Sequence, residues 1–346
     1  MKSTRWLVKK FARGGTVAVL VFGLALACAL PASAGSYAYV ANSGSNSVSV
    51  IDTESNTVAA TVPVGLSPFG VAVTPNGKSV YVANNGSNTV SVIDTKTSTV
   101  AAIIAVGFYP YAVAVTPNGK SVYVTNSGSN TVSVIDTKSN TVTATVPVGP
   151  NPLALAITPD GDFAYITCAF STIYPGVVSV IDTKTITVVG STPVGVYPDG
   201  VAFTPNGDFA YVTNATSFSF IPGTVSVINT STRAVVATIP VGSYPASIAV
   251  APDGDFAYVT NYYTFSVSVI DIDSKAVVHT LYGVSSAPLG IATSPGGDFA
   301  YVVNHNLSGT VSVLDTESNT VVSTIPVGSL PYSIAISRIS HRRGSD

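Results

Sequence analysis

Histidine, cysteine, glutamate and tryptophan are nearly missing from this 346-residue chain, and each scarcity closes off a kind of chemistry. His279, His305 and His341 lie in separate contexts, and no two of them have metal-ligand spacing. The cysteines, Cys28 and Cys168, form no Cys-x-x-Cys-His haem attachment. The only glutamates, Glu54 and Glu317, sit in equivalent turns beside Asp52 and Asp315, which are poor places for a paired-carboxylate mechanism. There is no Gly-x-Ser-x-Gly elbow and no glycine-rich phosphate loop. No catalytic residue, cofactor or metal is therefore expected. Charge is sparse as well, at 9% of residues, and no run after residue 34 reaches the roughly 18 apolar residues needed to span a bilayer. What fills the chain instead is Val, Thr, Tyr and Ser, the composition of β structure.

The N-terminus is a separate object. Lys2, Arg5, Lys9, Lys10 and Arg13 precede the apolar stretch Thr16–Leu30, and Ala32-Ser33-Ala34 supplies small residues for cleavage. This reads as a secretory signal peptide over residues 1–34, cut between Ala34 and Gly35, with an uncleaved membrane anchor as the alternative. Ala25-Leu26-Ala27 before Cys28 fits a lipobox poorly, and Lys9-Lys10 is not a twin arginine. The expected location is secreted, periplasmic or cell-surface. Removing the leader leaves 10 Lys+Arg against 17 Asp+Glu, a net charge of −7, so nucleic acid is not expected as the main partner. Cys168 then has no cysteine to pair with inside the chain.

The organising feature is a repeat. Tyr-Val-Ala/Thr-Asn starts at Tyr39, Tyr81, Tyr123, Tyr211 and Tyr258, with variants at Tyr165 and Tyr301, and the steps are 42, 42, 42, 46, 47 and 43 residues. A period of about 40–45 residues with four short strands per unit predicts an all-β, seven-bladed β-propeller of four-stranded antiparallel blades. In the second copy the runs are Gly70–Thr74, Ser79–Ala83, Thr89–Asp94 and Thr99–Ala105, separated by turn signals such as Pro75-Asn76-Gly77. Apolar residues on both sides of the first run, Val71, Ala72 and Val73, suit a strand buried between two blades. The chain enters its first unit at the second strand, Ser36–Val40, and the missing first strand reappears as Pro331–Ile336. A composite blade, one inner strand from the C-terminus and three from the N-terminus, should therefore close a monomeric ring over residues 35–337. Residues 338–346 are left as a short polar, basic tail.

Tyr-Val-Thr/Ala-Asn, the Ser-Val-Ile-Asp run and the Thr-Pro-Asn/Asp-Gly turn together resemble the YVTN β-propeller repeat proteins of surface layers and secreted proteins. The resemblance covers about residues 36–337 and implies the fold; it implies little about function, because the family is defined by scaffold residues. A WD40 propeller is excluded, since the only tryptophan is Trp6 in the leader.

Residues repeated in every blade read as scaffold, and departures from the repeat read as candidates for function. Asp52, Asp94, Asp136, Asp182, Asp271 and Asp315, with Asn229 in the seventh copy, suit Asx-type turns. Asp162, Asp208, Asp255 and Asp298 alternate with Lys78 and Lys120, as expected of a solvated face. On the opposite face the second-to-third-strand loops lengthen to Ala169–Gly176 and Ala215–Gly223 or turn aromatic at Tyr262–Phe265, and His305 marks another such loop. Blade connections on that face add Phe69, Phe108, Tyr109, Tyr111, Tyr197, Tyr244 and Tyr332. The candidate binding face is therefore Tyr109, Tyr111, Phe170, Tyr174, Tyr197, Asp199, Phe218, Phe220, Tyr262, Tyr263 and His305. Packing of the rings into a lid is the alternative. Asp199 is the one charged residue after an entry proline and is expected to be a solvated residue at the channel mouth, with a holder of a ligand or a cation as the alternative. Three functions follow: an interaction scaffold for an unidentified protein or glycan at the cell envelope, a lactonase-like or other propeller hydrolase using the mouth around Asp199, or a structural, surface-layer-like envelope component.

Overall fold

The computed structural model describes residues 36–215 and 221–337. The leader, the Ala34/Gly35 cleavage positions, Phe218, Phe220 and the tail lie outside the described residues. Twenty-eight strands form seven separate four-stranded antiparallel sheets. Six sheets run inner to outer in chain order. Blade 2, for example, is Pro68–Val73, Ser79–Asn84, Thr89–Asp94 and Thr99–Ala105. Blade 1 is composite: the inner strand Pro331–Ile336 pairs with Tyr37–Asn42, followed by Ser47–Asp52 and Thr57–Pro63. Val40 lies opposite Ile334 in that pairing, and Tyr37 and Ser337 bond to each other through both backbone and side chain at 2.9 Å. The expected closure is therefore present, and the sheet has no open edge at the chain ends.

Burial explains why the strands are so apolar. In blade 2, Val80-Tyr81-Val82-Ala83 of the second strand and Val90 to Ile93 of the third are buried on both faces, and the outer strand alternates exposed with covered residues. The two-sided burial belongs to the second and third strands. Ala72 and Val73 of the inner strand stay half-exposed, because the inner strands ring a central channel. Each apolar cluster joins two blades: Tyr39, Val48 and Val62 of blade 1 pack with Val71, Val80 and Ile93 of blade 2. Stability is therefore made between blades rather than within them.

The repeated polar residues hold the scaffold. Asp94 Oδ1 accepts from the amides of Lys96 and Thr97, and Asn229 does the same for Thr232, so a hydrogen bond rather than a charge is what the position requires. The equivalent amides of Ser139, Thr185 and Ser318 hold the Asp136, Asp182 and Asp315 carboxyls below the usual carboxylate range, and the Ser274 hydroxyl followed by its amide does so for Asp271. The asparagine of the repeat lies inside six of the seven blades, with Cys168 in its place in the other. Asn84 Nδ2 donates to Thr89 Oγ1 at 3.1 Å and Ser91 Oγ at 2.9 Å, tying the second strand to the third. Asn214, which heads the glycosylation sequon Asn-Ala-Thr, belongs to this set and is buried. It is therefore unsuited to glycosylation of the folded ring.

Candidate functional site

Each blade connection ends on a residue in left-handed conformation just before the entry proline: Ser67, Tyr109, Asn151, Tyr197, Tyr244, Ala287 and Leu330, with φ between 46° and 57°. Such a φ is uncommon outside glycine, and a following proline disfavours it further. It persists because the carbonyl of that residue is fixed, accepting the amide of the next second-to-third-strand loop: Asn85 N bonds Ser67 O, and Ala215 N bonds Tyr197 O. Connections and loops are thus stitched into one face, as the meander requires. The residue after each proline then enters the mouth of the channel. Thr167 Oγ1 reaches across from the neighbouring blade to Asp199 O at 3.0 Å, and Thr125 Oγ1 does the same for Leu153 O at 2.6 Å, so the threonine of the repeat sets the mouth.

The candidate residues separate into two groups. Tyr109, Phe170, Tyr174 and Tyr263 are exposed and form an outer rim. Phe108, Phe265, Leu66, Ile173, Ile221 and Leu307 are exposed on the same face. The aliphatics among these leave no pattern in the sequence, being single residues in polar loops. The remaining exposed large apolar residues, such as Ile103 and Val236, are on outer strands, and none is in the turns of the opposite face among the described residues. Of the two loop-bearing faces, only this one exposes large apolar residues among the described residues.

Tyr111, Tyr197, Tyr262 and His305 are half-buried and packed, so for them the lid arrangement holds. On one side of the mouth Phe69 stacks on Tyr332 with centroids 4.1 Å apart, and Tyr111 meets both edge-on at 5.5 and 5.6 Å. The hydroxyls of Tyr111 and Tyr332 hydrogen-bond to each other. His305 packs edge-on to Tyr332, and its Nδ1 donates to Pro331 O at 3.0 Å. A second cluster joins Tyr197, Tyr244, Tyr262 and Tyr263 at 5.2 to 6.2 Å.

Asp199 is not the solvated residue expected of a channel mouth. It is 6% exposed and lines a central cavity of about 190 Å³ with Tyr111 and Tyr332. Burial pushes its carboxyl up to about 7. Desolvation, followed by the Asp199 charge, raises Tyr111, Tyr197, Tyr244 and Tyr332, so both ring clusters face this one carboxylate. Among the described residues no three His, Cys, Asp or Glu are grouped to hold a metal.

Seven blades, each built on a Tyr-Val-Thr/Ala-Asn strand or its variant, make this chain a seven-bladed β-propeller of four-stranded repeats. The family model described as YNCE-like beta-propeller matches residues 5–104. No curated protein matches the chain. Among solved structures it is similar to hydrazine synthase of Kuenenia stuttgartiensis, at 25% identity and a TM-score of 0.75, over 80% of this chain and 92% of that one. A functionally unknown protein from Desulfotomaculum acetoxidans superposes at 17% identity and a TM-score of 0.76, over 88% and 99%. The dihydro-heme d1 dehydrogenase NirN in complex with DHE does so at 16% and 0.63, over 86% and 74%. The last two likenesses concern the fold alone.

Proposed function

We propose that this protein is an exported interaction scaffold: a single rigid ring that docks a protein partner at the cell envelope through its loop face. The observation that carries the reading is the one-sided exposure of Phe108, Tyr109, Phe170, Ile173, Tyr174 and Leu307, with no counterpart among the described residues of the opposite turns. Aliphatic residues among the rings favour a protein over a glycan, whose recognition rests on aromatic stacking and hydroxyl contacts. The leader, with its basic start, apolar stretch and Ala-Ser-Ala end, supports export.

Two of the similar structures carry enzyme names, hydrazine synthase and dihydro-heme d1 dehydrogenase. For a hydrolytic reading the cavity wall here offers one acid, Asp199, and no imidazole, thiol, ammonium or second carboxyl beside it. The docking reading therefore stands ahead of the hydrolase and of a purely structural envelope role. To test it, the triple variant Phe108→Ser, Phe170→Ser, Tyr174→Ser is compared with wild type in crosslinking on native envelopes. Buried aromatic anchors contribute about 2 kcal/mol or more each. The crosslinked protein should disappear while the melting temperature stays near that of wild type. Unchanged crosslinking, or equal loss from Asn76→Ala and Asn118→Ala in the opposite turns, would refute the assignment. Retention on envelope glycans after protein removal would select the glycan.

A further inference from the structure

Beneath the rim, the central cavity holds an unpaired carboxylate that docking does not use. Its wall is made of the seven inner strands, mostly backbone and small aliphatic side chains, and the ionisable groups in it are Asp199, Tyr111 and Tyr332. No amide, hydroxyl or cation of the described residues is bonded to the Asp199 carboxylate, and burial alone sets its protonation. A buried carboxylate without a partner is costly, and of the usual remedies no arginine or lysine stands in the wall and no backbone amide of the described residues donates to it. Threonine Thr167 nevertheless fixes the Asp199 backbone, so the carboxylate is a positioned feature of the mouth.

Aromatic rings line the same space. Tyr111 and Tyr332 stand in the wall, braced by Phe69, and Tyr197 and Tyr244 feel the Asp199 charge from the other cluster. A negative group beside aromatic rings and aliphatic side chains suits a cation whose charge is spread over methyl or methylene groups. The carboxylate supplies the counter-charge, the ring quadrupoles attract the cation, and the aliphatic wall accepts the alkyl groups. A calcium ion wants six to eight oxygen ligands, and one carboxylate with two phenols does not supply them. Size agrees as well, since an apolar cavity of about 150 Å³ accepts benzene.

We propose that the central cavity binds a small organic ammonium ion, with Asp199 as its counter-ion and Tyr111 and Tyr332 as its aromatic walls. This site is independent of what docks on the rim. Tyr111, Tyr197, Tyr244 and Tyr332 face the carboxylate, and all are raised, so they stay neutral through the working range. His305 packs on Tyr332 but is not part of the cavity wall. Binding needs the ionised carboxylate. Affinity should therefore fall by about tenfold per pH unit below the Asp199 titration and level off above it.

Calorimetric titration of the purified protein with choline tests this, using 3,3-dimethylbutan-1-ol, its neutral isostere, as the control. At pH 8 choline should saturate one site per chain and bind at least about tenfold tighter than the alcohol, the margin expected of a desolvated cation–π site with a counter-ion. Asp199→Asn, which keeps the shape, should abolish that margin, and Tyr332→Leu should weaken choline with the carboxylate intact. Tyr111→Phe keeps the ring and should bind as wild type. Equal binding of choline and the alcohol, no saturable choline binding, or an Asp199→Asn protein that binds choline undiminished would each overturn the proposal.

Discussion

Blade 4, made of Pro152–Ile157, Phe163–Cys168, Pro175–Asp182 and Thr187–Val196, departs from the others at its buried polar joint, and the departure is concerted. In six blades an asparagine donates to two hydroxyls of the third strand, as Asn126 does to Thr131 at 3.1 Å and Ser133 at 2.9 Å. In blade 4 the asparagine is Cys168, and the residue opposite it is Val177 in place of Thr or Ser. Only Ser179 remains, 3.5 Å from Cys168 Sγ, and it also takes up the Gly149 amide at 3.4 Å. Cys168 is fully buried, and burial pushes its thiol up. The change Cys168→Asn alone would place an amide there with one hydroxyl and a valine, leaving one N–H unpaired, at about 1–3 kcal/mol. Val177→Thr alone would exchange a packed methyl for a hydroxyl facing sulfur, at about 1 kcal/mol. Together they would rebuild the joint of the other six blades, with two hydrogen bonds at about 1 kcal/mol each. The double variant should therefore be more stable than the sum of the singles by about 1–2 kcal/mol. Urea unfolding of the four proteins, followed by far-ultraviolet circular dichroism because the ring has no tryptophan, measures the cycle. Additivity to within about 0.5 kcal/mol would refute the idea that the pair is coupled through one joint.

The remaining predictions concern closure, strain and protonation. Deleting residues 331–346 removes the inner strand of blade 1 and uncovers Val40 and the channel side of its neighbours, so the truncated chain should aggregate or melt far below wild type. A truncated chain with the wild-type melting temperature would show that this strand does not close the ring. Ile186 holds a left-handed φ of 56°, where Asn56 and Asn140 accept the hydroxyls of Tyr301 and Tyr81 from the preceding blade. Ile186→Asn should relieve strain of about 1 kcal/mol and offer an acceptor to Tyr123, outweighing the partial burial lost, and unfolding midpoints would show any destabilisation instead. Asp199 is protonated more readily folded than unfolded, since its folded value is raised. Its contribution to stability is therefore neutral in acid and increasingly unfavourable as pH rises from about 4 to about 7. Asp199→Asn should accordingly stabilise the protein above pH 7, by up to about 4 kcal/mol, and leave it unchanged at pH 4; melting curves at the two values check the sign.

The sequence alone determined the architecture, because a propeller writes each of its contacts seven times. Tyr81 and its equivalents, Asn84 and its equivalents and the Asp94 turns recur at a fixed step, and a recurring buried pattern admits a stacked-blade fold and little else. Even the composite blade could be read, since Pro331–Ile336 aligns with Pro68–Val73 while the first unit starts one strand late. The strand that is buried on both faces could not be assigned so simply, because inner and second strands are equally apolar and only the channel distinguishes them. The site was legible as departures from the repeat, not as an arrangement. Tyr109 and Tyr111 are two positions apart, yet one is exposed on the rim and the other packs at the mouth, since the left-handed turn at Tyr109 sends the chain into the ring. Asp199 looked exposed from its place beside a turn, but Tyr111 and Tyr332, 88 residues before it and 133 after it, share its cavity and bury it. Closure of the ring brings those residues together, and contacts across a closed channel depend on tertiary structure that no local pattern encodes.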